Sequence, residues 1–163
     1  MADLTPGASV STCRAWVAAG HFNTTHQAHI PRLLVRRQGA APLASTFAGV
    51  FVPYVGARPV TGCRRLPLTD AAGARLDESH AAVEITLADG ARDLLIATDP
   101  LAPPVGGVVV PAWDVRTDAE FCVLRRDAQG AVTTLALARG ARVDAPDLCV
   151  VLPAPAPFLE RAL

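Results

Sequence analysis

Lysine is missing from this chain: all 15 of its cationic side chains are arginines. Composition of this kind reflects GC-rich coding, and it leaves every cation able to grip a carboxylate or sulfate with two parallel N–H donors. Charge of either sign is scarce. Charged residues make up 18% against 51% hydrophobic, which excludes a disordered chain and favours extensive buried sheet. The 15 acidic residues balance the arginines, so no global field draws the chain to nucleic acid or to an anionic membrane. No apolar run approaches the ~20 residues that span a bilayer. The start, Met1-Ala2-Asp3-Leu4-Thr5-Pro6-Gly7, lacks the basic and apolar regions of a secretory signal, so the chain as given reads as soluble and cytoplasmic. The cysteines, Cys13, Cys63, Cys122 and Cys149, form no CxxC pair and match no zinc or redox spacing, so they read as reduced core residues. Neither a metal nor a cofactor is called for.

A sustained 3.6-residue periodicity is also missing, apart from a possible turn in 158–163. What is there instead is alternation. Val10 to Ala18 reads as a first strand, with Cys13, Ala15 and Val17 on one side and Thr12, Arg14 and Trp16 on the other. An irregular piece through 22–30 and a strand over 32–37 follow. Two hairpins are clear. In the first, 82–87 turns at Asp89-Gly90 and returns through 91–97, with Val83, Ile85 and Leu87 on the apolar face and Glu84 and Thr86 on the polar one. In the second, 120–126 turns at Asp127-Ala128-Gln129-Gly130 and returns through 132–137. Gly140 marks a further turn, and 147–152 a last strand. The pattern predicts an all-β fold, an antiparallel β-sandwich with hairpin connections over 1–152, and an extended, poorly paired proline-rich tail over 153–163.

One segment stands out. In Ser45-Thr46-Phe47-Ala48-Gly49-Val50-Phe51-Val52-Pro53-Tyr54-Val55-Gly56, Phe47, Gly49 and Phe51 share one face and the small or apolar Thr46, Ala48, Val50 and Val52 the other. Two apolar faces predict a central strand, stopped by Pro53. The segment resembles the Pro-Tyr strand in the C-terminal β-domain of heparinase II/III-like polysaccharide lyases. The likeness extends over 32–143 through the order arginine-bearing strand, Phe-to-Pro-Tyr strand, Asp-Gly hairpin, and late Gly-turn hairpin with its Ala-Leu-Ala-Arg-Gly segment. It implies a module of enzymes, often periplasmic, that join a helical (α/α) toroid to β-sheet domains and cleave uronate polysaccharides by β-elimination. The toroid has no counterpart here. The resemblance carries over no catalytic residue and implies a structural or glycan-contacting module, inactive alone, whose partners are an acidic polysaccharide and either the missing toroid or its own copies.

β-Elimination needs a group to neutralise the uronate carboxylate, a base for the C5 proton and an acid for the leaving oxygen. On paper His26 or His29 supplies the base, Asn23 or Gln27 the carboxylate ligand and Tyr54 the acid, which makes an autonomous lyase the rival reading. His26 and His29 would point to opposite faces of a strand, which argues against a metal site. Arg36-Arg37, Arg64-Arg65 and Arg125-Arg126 lie at strand ends, where Arg36, Arg64 and Arg125 are candidate carboxylate or sulfate ligands and edge protection is the simpler role. Trp16 and Trp113 are candidates for stacking on sugar rings. A third reading is a protein-interaction module unconnected with glycans.

Overall fold

Short-range turn chemistry sets the frame. At the Asp-Gly reversal, Asp89 Oδ1 accepts the Ala91 N–H at 3.0 Å and Gly90 takes φ 88°, a region that favours glycine. Asp127 does the same for the second hairpin, accepting from Gln129 N at 3.0 Å and Ala131 N at 2.9 Å. A computed structural model of the chain describes residues 2–18 and 27–163. Its strands, in chain order, are β1 (Ala2–Asp3), β2 (Ser9–Ala18), β3 (Gln27–Arg36), β4 (Gly49–Val50), β5 (Val60–Leu66), β6 (Thr69–Asp70), β7 (Ala81–Leu87) and β8 (Arg92–Ala97). They continue as β9 (Val108–Val110), β10 (Val115–Thr117), β11 (Phe121–Arg126), β12 (Val132–Ala138), β13 (Gly140–Ala145), β14 (Leu148–Ala156) and β15 (Leu159–Ala162). Among the described residues there is no helix long and apolar enough to cross a membrane.

Six strands form one antiparallel sheet in the order β15-β12-β11-β8-β7-β5, and five form the other in the order β14-β13-β10-β9-β6. Their inner faces make one core. Leu94, Ile96, Leu124, Leu135 and Leu137 of the larger sheet meet Val108, Val110, Val115 and Val143 of the smaller, all fully buried. Burying one such side chain contributes about 1.5–3 kcal/mol, so this layer is what holds the two sheets together. The architecture is the antiparallel sandwich that the alternation predicts. Gly140, at the crossing from β12 to β13, is required by contact rather than by φ: a Cβ there would lie 2.4 Å from that of Ala119. The positive φ of that corner, 49°, falls on Arg139 instead.

The cysteines are not all core residues as expected: Cys122 is buried, Cys63 is half-buried, and Cys13 and Cys149 are exposed. Three expectations about strands also need correction. Only Gly49 and Val50 of segment 45–56 pair, with Ala2 and Asp3, and the segment is a strap across the outer face of the six-stranded sheet rather than a central strand. Backbone and hydroxyl groups tie it down: Thr46 N donates to Glu78 O at 2.9 Å, its Oγ1 to Ser79 O at 2.8 Å, and Arg65 Nη1 to Thr46 O at 3.2 Å. The second correction concerns β7. Cα register places Glu84 opposite Leu94, so Glu84 lies on the inner face and is 5% exposed, while Val83 and Ile85 face outward under the strap. The third concerns the tail. β14 runs on through Pro153 and Pro155, and β15 pairs with β12 from Thr134↔Ala162 to Leu137↔Leu159. Prolines are tolerated there because β14 is an edge strand.

Candidate functional site

An acid inside a sandwich needs partners, since an ion of its size costs several kcal/mol to desolvate. Glu84 has them. Arg64, its Cα neighbour on β5, donates Nε to Oε1 at 2.8 Å, and the indole Nε1 of Trp113 donates to Oε2 at 2.7 Å. Arg92 Nη1 stands 3.8 Å from Oε2. Burial alone would push this carboxyl up; the hydrogen bonds from Arg64 and Trp113 and the charges of Arg64 and Arg92 outweigh it and hold the group below its ordinary value.

Trp113 reaches Glu84 from the turn joining β9 and β10, where Trp113 N bonds Val110 O at 3.1 Å and Asp114 N bonds Pro111 O at 3.3 Å. Two guanidiniums lie against its ring, Arg92 at 5.2 Å and Arg126 at 5.7 Å from the centroid. Contacts of this kind are attractive because the ring face is electron-rich. Arg126 also fastens two neighbouring turns, donating to Gly130 O at 2.6 Å and pairing with Asp147 at 2.8 Å. The guanidinium holds the Asp147 carboxyl below its usual range. Turns β9–β10, β11–β12 and β13–β14 thus converge at one end of the sandwich around an open cleft of about 660 Å³, lined by Arg92, Trp113, Asp114, Arg126, Gln129 and Asp147. Turns carried on a rigid sandwich are where β-proteins place ligand contacts.

The cleft can hold a hydrophilic ligand more readily than transform one. Both Glu84 oxygens accept hydrogen bonds, Asp147 is paired, and both carboxyls are biased toward the ionised form, which makes them weak proton acceptors. Arg92 is the freer cation, its side chain 43% exposed against 12% for Arg126. Trp113 itself is only 6% exposed, with its ring flanked by the two arginines, so it offers no open face to a sugar ring. It packs as a buried side chain, with Arg92 against its ring.

The structure brings together Trp113 and Arg64 through Glu84 and adds Arg92 and Arg126. The other candidates lie elsewhere. Alternation does split two of the three arginine pairs between faces: Arg64 and Arg126 turn inward, while Arg65 and Arg125 turn outward. Two of them have fixed partners: Arg125 Nε donates to Asp93 at 2.6 Å on the outer face, and Arg65 holds three backbone carbonyls, those of Thr46, Glu78 and His80. Arg36 sits exposed at the end of β3. His29 is an exposed residue of β3, and Tyr54, 55% exposed, lies in the loop between β4 and β5. No hydrogen bond described joins those two. Asn23 and His26 lie outside the described residues, and of Trp16 only the backbone pairing with His29 is described. Glu84 escaped the sequence reading although a signal existed: the Asp-Gly turn fixes the β7–β8 register, and that register sets Glu84 against the apolar Leu94.

No protein-family model matches the chain, and no curated protein matches it.

Proposed function

We propose that this chain is a β-sandwich module of a uronate-polysaccharide lyase of the heparinase II/III-like kind, contacting glycan and a companion domain rather than catalysing elimination alone. The observation that carries this reading is the strap. Of the residues that resemble the lyase β-domain, Thr46 to Phe51 lie across the outer face of the six-stranded sheet and roof a groove of about 390 Å³ lined by Leu4, Val83, Ile85, Leu95 and Phe121. Phe47, Phe51 and Phe121 stay 57%, 69% and 42% exposed around it. An apolar patch of this kind on a sheet face suits a surface that another domain covers. A toroid is the companion that the resemblance implies.

Glycan contact is assigned to the turn cleft, where Arg92 meets the carboxylate or sulfate and Gln129, Asp114 and turn backbone meet hydroxyls. Exposed Arg92 beside paired acids predicts weak, salt-sensitive binding. The test is calorimetric titration with heparin, alginate and chondroitin oligosaccharides together with an ultraviolet assay for unsaturated uronate. Expected are weak binding that Arg92→Ala removes and no absorbance rise. A rise abolished by Tyr54→Phe would replace this reading with that of an autonomous lyase, and absence of binding would remove glycan contact from it.

A further inference from the structure

The β2–β3 ribbon stands apart from both large sheets. Its ten residue pairs run from Ser9↔Arg36 to Ala18↔Gln27 without a register shift, and it pairs with no other strand among the described residues. Val10, Leu33 and Leu34 on it are 50%, 44% and 53% exposed. A lone two-stranded ribbon is marginally stable in water, so an arm of this length gains from further pairing.

Its two edges differ. Pro31 stands opposite Arg14. Proline has no N–H, so this pair cannot exchange two hydrogen bonds and is of the non-hydrogen-bonded kind. The Pro31 nitrogen therefore faces the outer edge of β3, which lacks a donor there, and Arg32 and Arg36 lie on the same strand. By the same alternation Val10, Thr12 and Arg14 turn their N–H and C=O groups to the outer edge of β2. That edge has no proline, no bulge and one charge, Arg14.

We propose that the free edge of β2 pairs antiparallel with β2 of a second copy of this chain about a two-fold axis, making one four-stranded sheet from two ribbons. An unguarded edge is complementary to itself, and two-fold pairing closes the assembly. Charge and parity select the register. Outward-turned residues must meet outward-turned residues, so facing positions differ by an even number. Since β2 is centred between Cys13 and Arg14, the longest overlaps set either Cys13 against Cys13 or Arg14 against Arg14. The second places like charges directly opposite, which is destabilising. The first places Arg14 opposite Thr12 on both sides of the axis. It also makes Cys13, an exposed thiol, face its copy in a non-hydrogen-bonded pair with Cα atoms about 4.5 Å apart, within disulfide reach.

The experiment uses the full chain carrying Cys63→Ser and Cys149→Ser, leaving Cys13 and the buried Cys122. Sedimentation at micromolar concentration is expected to show a dimer, and diamide, which takes up the two thiol hydrogens, to cross-link it through Cys13. Thr12 is exposed, so charge there leaves the fold alone. Thr12→Glu sets two ion pairs against Arg14 and should tighten the dimer; Thr12→Arg sets two repulsions and should loosen it. The two variants should differ about tenfold or more in dissociation constant. A monomer at all concentrations overturns the proposal. So does a dimer that neither cross-links at Cys13 nor responds to charge at position 12.

Discussion

Trp113 Nε1 and Glu84 Oε2 lie 2.7 Å apart, and this hydrogen bond joins a turn of the five-stranded sheet to the inner face of the six-stranded one. A charged acceptor makes it stronger than a neutral pair, and burial makes each partner depend on the other. Trp113→Phe keeps an aromatic ring, though a smaller one, and leaves Oε2 with Arg92 alone. Chemical denaturation is expected to show a loss of about 1–2 kcal/mol. Glu84→Ala goes further, removing the acceptor of the buried indole N–H and the partner of Arg64, which is itself open to solvent, so its loss is expected to exceed that of Trp113→Phe. Either variant at wild-type stability would remove this bond from the forces closing the sandwich.

Acid should weaken the fold through the same carboxyl. Glu84 is held below its ordinary value of 4.5, so its contribution is complete above that pH and is lost as pH falls through the lowered value. Glu84→Gln has no such titration. The stability gap between wild type and Glu84→Gln is therefore expected to be constant near neutrality and to shrink below about pH 4.5 in thermal melts. A gap that widens toward acid would contradict the sign.

Gly140→Ala tests the corner between β12 and β13. The new methyl would stand 2.4 Å from the Ala119 Cβ and 2.5 Å from its Cα, so backbone must move. A loss of about 1–3 kcal/mol is expected, where an open site would show almost none.

The thiols should separate by rate. Burial pushes Cys122 up to about 12, and it should react with a maleimide only on unfolding. Cys149 is exposed, yet its Sγ donates to Asp144 Oδ1 at 3.2 Å, which raises its pKa. Asp144→Asn is expected to speed its labelling at mildly alkaline pH, read by mass spectrometry. An unchanged rate would detach Asp144 from the thiol.

Hairpins were legible because their information is local: Asp89-Gly90 and Asp127 to Gly130 carry the turn and the flanking residues carry the alternation. Faces were not. Val83 and Ile85 looked inward because apolar alternation cannot say which of two covered faces is the core, and here the strap covers the outer one. The strap misled for the same reason, since a segment lying between a sheet and solvent shows apolar residues at both parities. Thr46 does its work through hydrogen bonds to Glu78 and Ser79, which no periodicity encodes. Trp113 and Arg64 were singled out as separate sugar ligands; that one carboxylate unites them depends on the β9–β10 turn of one sheet reaching the β5–β7 pair of the other. Strands of three residues, Val108–Val110 and Val115–Thr117, are too short to show a period at all.

The packing of Trp113 also makes the molecule report on itself. An indole with two guanidiniums against its ring and its N–H on a carboxylate is held in an asymmetric field and is expected to give a near-ultraviolet dichroic band that a freely rotating ring does not. With Trp16→Phe in place, the single remaining tryptophan belongs to the junction of the two sheets. Its signal then follows their separation in real time.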